Sequence, residues 1–102
     1  VALLVDISGS TAREFRYEFD SVGRFLKALF REGNPNDAAA LYTFNWRVYL
    51  ESNYTRKATR FDSALRKAKP EGGTSLYDAI YLAANDAEAR DGRRVLVVVT
   101  DG

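Results

Sequence analysis

Three apolar runs constrain this chain more than any other feature: Val1 to Asp6 (VALLVD), Ala38 to Phe44 (AAALYTF) and Val95 to Thr100 (VLVVVT). None alternates between apolar and polar positions, so each suits a strand buried on both faces, as in a parallel sheet. The segments between them have a different period. Phe15, Phe19, Val22, Leu26 and Leu29 recur at helical spacing, as do Ala58, Phe61, Leu65 and Ala68, and then Leu76, Ala79, Ile80, Ala83 and Ala87. Thr11 with Glu14, and Ser75 with Asp78, read as capping boxes at the first and third helix starts. Gly33 to Asp37, Pro70, and Asp91 with Gly92 end the three helices. Val48 and Leu50 alternate with Tyr49 and Glu51, the pattern of a half-exposed strand. Only Asn45, Trp46 and Arg47 separate that strand from Phe44, which predicts a hairpin and an antiparallel edge strand.

The order is therefore β-α-β-β-α-α-β. It predicts one α/β domain over residues 1–102, a Rossmann-like, doubly wound, mainly parallel sheet with one antiparallel edge strand. The last run is as apolar as a central strand, yet nothing after it can pair with it or cover it. An open apolar edge is an aggregation hazard. With no initiator Met, this leads us to expect the first part of a longer domain, truncated after the fourth strand.

Composition narrows the chemistry. The 102 residues carry a net charge of +1, which argues against nucleic-acid binding through a strong general field. No apolar run approaches the roughly 20 residues of a membrane span. With no His and no Cys, thiol nucleophiles, His-based triads and thiolate zinc are excluded. Any metal must be held by oxygen.

Ligand sites in open parallel sheets lie beyond the carboxyl ends of the strands. Two of the apolar runs end there in a carboxylate, at Asp6 and Asp101. The turn after Asp6 adds Ser8 and Ser10, and the loop before the third helix adds Thr74, preceded by Gly72 and Gly73. If the first and last strands are neighbours, the two carboxylates share one sheet edge. Hard divalent cations favour such oxygen donors. Two carboxylates neutralise the ion and hydroxyls add no charge, so the metal stays electron-poor and open to a carboxylate from outside.

Asp6-Ile7-Ser8-Gly9-Ser10, Gly72-Gly73-Thr74-Ser75-Leu76 and Thr100-Asp101-Gly102, each at a predicted strand end or helix start, resemble the von Willebrand factor type A domain. In that family these positions form the metal-ion-dependent adhesion site. The resemblance implies Mg²⁺ or Mn²⁺, with Ser8, Ser10 and Thr74 as hydroxyl ligands and Asp6 and Asp101 as carboxylates, direct or through water. It also implies a non-enzymatic binding module whose partner protein offers an exposed Asp or Glu. The Arg- and Ala-rich tone resembles bacterial members, which leans towards an extracytoplasmic or cell-surface setting. The family commonly has Met after the second serine; here Thr11, not a ligand position, follows Ser10.

Two rival readings have definite consequences. Asp6 after a first parallel strand also resembles the Mg²⁺-dependent phosphoryl-transfer hydrolases of haloacid dehalogenase type. Those need a second Asp two residues on as general acid, where Ser8 stands. The other rival is a structural domain with a vestigial site. Trp46, in the hairpin turn at the Asp6 end of the sheet, is either a partner contact or a ring folded over the sheet edge. Tyr77 and Tyr81 are expected to pack at the flank of the third helix. The basic residues Arg56, Lys57, Arg60, Arg66, Lys67 and Lys69 read as a solvated face.

Overall fold

The computed structural model describes residues 1–8, 15–33, 35–67, 75–90 and 92–100; the side chains of 15–19, 58, 62, 66 and 67 stand outside that description. The elements are β1 (Ala2–Asp6), α1 (Phe15–Glu32), β2 (Ala39–Phe44), β3 (Val48–Thr55), α2 (Ala58–Lys67), α3 (Leu76–Glu88) and β4 (Leu96–Val99). This is the element order that the hydrophobic periods predict. The sheet order is β3-β2-β1-β4. β1 runs parallel to β2 and to β4, with Val5 opposite both Thr43 and Val99, and β3 is antiparallel to β2. The sheet is thus mainly parallel with one antiparallel edge, as expected.

Alternation along the strands sorts side chains to two faces. Leu3, Val5, Ala39 and Leu41 meet Val22 and Leu26 of α1 and Phe61 and Leu65 of α2. Ala2, Leu4, Ala40, Tyr42 and Phe44 meet Ala79 and Ala83 of α3. β1 and β2 are buried on both faces throughout, which is why their sequences carry no alternation. At the expected stop after α1, a Cβ on Gly33 would fall 2.5 Å from the Leu29 carbonyl oxygen, so only glycine fits there. Arg56 clips this end together. Its guanidinium donates to the Asp37 carbonyl, and to the Phe30 carbonyl at 3.2 Å, and lies over the Phe30 ring. Arg56 is exposed like Lys57 and Arg60, as expected of a solvated basic face, but its guanidinium is engaged by these contacts.

The edges depart from expectation. β3 carries two more residues than β2 over the paired stretch, inserted at two irregularities between Ala39 and Tyr42. Leu50, expected to point inward, is half exposed. It pairs with Tyr42, but α3 packs over β1, β2 and β4, leaving this margin uncovered. β4 reads as a strand buried on both faces, yet Val98 is 37% exposed, because among the described residues its only strand neighbour is β1. Tyr77 and Tyr81 do not pack at the flank of α3; they are 87% and 72% exposed. They precede the buried Ala79 and Ala83 by two positions, about 200° round a helix of 3.6 residues per turn.

Among the described residues no helix is long and apolar enough to cross a membrane.

Candidate metal centre

β1 delivers Asp6 to the carboxyl end of the sheet, where the apolar run stops and the chain turns. Asp6 is 2% exposed and Ser8 1%. The Ser8 amide donates to Asp6 Oδ1 at 2.8 Å, closing a tight turn on the Asp side chain. The intervening Ile7 amide donates to the Phe44 carbonyl at 2.8 Å, which fastens this turn to the end of β2. The Thr100 hydroxyl, just past β4, donates to Asp6 Oδ2 at 2.7 Å. The carboxylate is thus gripped at both oxygens.

The hairpin stands beside this turn. The Asn45 amide donates to the Arg47 carbonyl and the Arg47 amide to Asn45 Oδ1, both at 2.9 Å, so the short loop closes on itself and Asn45 is buried. Ser75 Oγ donates to the Asn45 carbonyl at 2.8 Å. That bond replaces the predicted capping box, since the Ser75 side chain makes no cap hydrogen bond in α3. The hydroxyl ties the helix to the hairpin instead. Asp78 stays exposed in the first helical turn, where a negative charge opposes the helix dipole favourably. Trp46 is 69% exposed and lines an open depression with Asn45, Arg47 and Tyr49; the ring is not folded over the sheet edge.

Of the five predicted ligands, the structure brings Asp6 and Ser8 together in one turn. Ser10, Thr74 and Asp101 lie outside the described residues, as do Thr11 and Glu14 of the first capping box. Thr74 and Asp101 are the chain neighbours of Ser75 and Thr100, and both of those reach this end of the sheet. Among the described residues no three of His, Cys, Asp or Glu gather into a group. A site of this composition relies on hydroxyls beside few carboxylates, and the buried oxygens of Asp6 and Ser8 fit a hard divalent cation. Sequence reasoning missed Thr100 and Ser75 as tethers. Thr100 stands inside the Thr-Asp-Gly motif, and only the β1–β4 register sets it opposite Asp6.

Below the site, α3 is held at its other end. Tyr42 is buried in the α3 face of the sheet, and its hydroxyl donates to Asp86 at 2.7 Å. Burial first, then this bond and the Asp86 charge, push the Tyr42 hydroxyl well above the ordinary tyrosine range. Tyr54 is also raised, mainly by burial, with the Arg90 guanidinium stacked on its ring opposing.

A family model described as the von Willebrand factor type A domain matches residues 1–102. Solved structures agree on the fold. The three N-terminal domains of the type V pili tip protein Mfa5 from Porphyromonas gingivalis align over 95% of this chain and 18% of theirs, with 17% identity and a TM-score of 0.88. The SpRpn10 VWA domain aligns over 95% of this chain and 56% of its own, with 20% identity and a TM-score of 0.79. Proximal thread matrix protein 1 from the mussel byssus, solved with its MIDAS motif (the metal-ion-dependent adhesion site) occupied by zinc, aligns over 99% of this chain and 28% of its own. Its identity is 21% and its TM-score 0.72. The chain thus spans between about a fifth and just over half of these structures. No curated protein matches it.

Proposed function

The chain belongs to the von Willebrand factor type A family, whose members are generally protein-interaction modules, and from that premise we propose that it binds a partner protein through a divalent metal. The observation that carries this reading is the pairing of Asp6 and Ser8, both buried, in the turn that leaves β1 at the carboxyl end of the sheet. Asp6, Ser8, Ser10, Thr74 and Asp101 would hold Mg²⁺ or Mn²⁺. When bound, the cation offers an open position to an Asp or Glu of the partner. A metal-occupied MIDAS motif in the mussel protein supports the choice of site. The chain's own residues supply the rest: Asp6 gives fixed negative charge, Ser8 gives a neutral oxygen, and the hairpin presents Trp46 beside them. An exposed aromatic next to an acidic contact suits a partner hot spot. Neither nucleic acid nor membrane insertion enters this function, and we assign no catalytic residue.

The test is metal-dependent capture of an acidic partner peptide. Chelator and Asp6→Ala are each expected to abolish it, and Trp46→Ala to weaken it with the fold intact. Full binding after chelation and in Asp6→Ala sinks the metal mechanism. Unchanged affinity in Trp46→Ala removes the hot spot alone. Metal-dependent turnover of a generic phosphate ester would instead favour the haloacid dehalogenase reading, in which Asp6 is the nucleophile.

A further inference from the structure

We propose that Thr100 is a positioning residue of the metal centre: its hydroxyl holds the Asp6 carboxylate in the orientation from which a divalent cation is bound. This rests on the metal reading above and adds a residue outside the predicted ligand set. The Ser8 amide at 2.8 Å and the Thr100 hydroxyl at 2.7 Å grip opposite oxygens of Asp6. Bonds to different oxygens from separate segments constrain the plane of the carboxylate more than either does by itself. One comes from two residues along the chain and the other from 94 residues away, on the neighbouring strand.

The chemistry favours this role. Hydrogen bonds to a carboxylate are charge-assisted and short. They draw electron density from Asp6, which keeps a bound cation receptive to a further carboxylate. Thr also suits the position by shape, because its branched Cβ restricts χ1 and points the hydroxyl. The same bond fastens the end of β4, whose only strand neighbour among the described residues is β1, immediately before Asp101. Asp6 and the strand leading to Asp101 are therefore positioned by one hydroxyl.

The experiment compares the unaltered protein with Thr100→Val and Thr100→Ser. Mn²⁺ alone is titrated calorimetrically, and amide hydrogen exchange is followed at Ser8 and Leu4 without metal. Thr100→Val is expected to weaken Mn²⁺ by about tenfold or more, the usual scale for residues that orient a metal ligand, and Thr100→Ser to recover most of that loss. Exchange at Ser8 should quicken in the valine variant while Leu4, inside β1, keeps its protection. Equal Mn²⁺ affinity in the unaltered and valine proteins overturns the role of Thr100 and leaves the metal reading standing. A serine variant as weak as valine also overturns it, because the hydroxyl would not be the cause. No Mn²⁺ binding by the unaltered protein overturns the metal reading, and this role with it. Should valine disturb the strand, shown by loss of Leu4 protection, Thr100→Ala takes its place on the same criteria.

Discussion

The two faces of the sheet are built on opposite plans. On the α1/α2 face the helices bring the bulk: Val22, Leu26, Phe61 and Leu65 pack on Leu3, Val5, Ala39 and Leu41. On the α3 face the sheet brings the fully buried bulk in Leu4, Tyr42 and Phe44; the helix buries only the small Ala79 and Ala83 among them, with Leu76, Ile80 and Leu82 packed around and partly buried. The separation of packed elements follows the side chains at their contact. An alanine stripe lets α3 sit close, and its leading residue Ser75 reaches the hairpin carbonyl. The first face supplies cohesion. The second sets where α3, and with it Ser75 at its start, stands relative to Asp6.

That division can be broken. The largest effect is expected from Phe61→Ala, which removes a fully buried ring from the cohesive face. It should cost about 3–5 kcal/mol in urea unfolding. Ala83→Leu on the other face should cost about 1–3 kcal/mol through overpacking. Unlike Phe61→Ala measured under conditions where it remains folded, it should also weaken Mn²⁺ binding, because α3 is lifted. If both variants alter metal affinity alike, the division of labour is wrong.

Tyr42→Phe probes the far end of α3 and should cost about 1 kcal/mol for one hydrogen bond. It also carries a pH signature. The folded state raises the Tyr42 hydroxyl and holds a proton that the unfolded chain releases. The stabilisation is full below the ordinary tyrosine value of about 10 and is lost as pH rises above it. Unfolding curves between neutral and alkaline pH should fall less steeply for Tyr42→Phe; an unchanged slope would assign the alkaline loss to other groups, Tyr54 first among them. Ser75→Ala should have the smallest effect on stability, about 0.5–1 kcal/mol, while shifting Mn²⁺ affinity. Unaltered affinity there would show that the hairpin tether does not set the site.

Local pattern carried much of this. The strand and helix order follows from periods that single segments display, as with Val22, Leu26 and Leu29 in α1. The position of the site followed from the rule for strand ends. What stayed hidden depends on neighbours. Tyr77 and Tyr81 share a helix spacing that fits packing equally well, and only the seating of α3 on its alanines turned them outward. Ser75 reads as a cap because Asp78 follows three residues on; the carbonyl that wins its hydroxyl comes from a different element. Leu50 follows the alternation, yet it sits at an irregular edge beyond the reach of α3.

By itself, the sequence determined the alternation of strands and helices and a site chemistry confined to oxygen donors, since both are properties of residue type and short spacing. Tertiary structure alone decided the strand order β3-β2-β1-β4, the sharing of bulk between the two faces, and the hydroxyl that meets Asp6. The physical reason is distance along the chain. The Thr100–Asp6 bond joins residues 94 positions apart, and no local period encodes which strand comes to lie beside β1 or in what register.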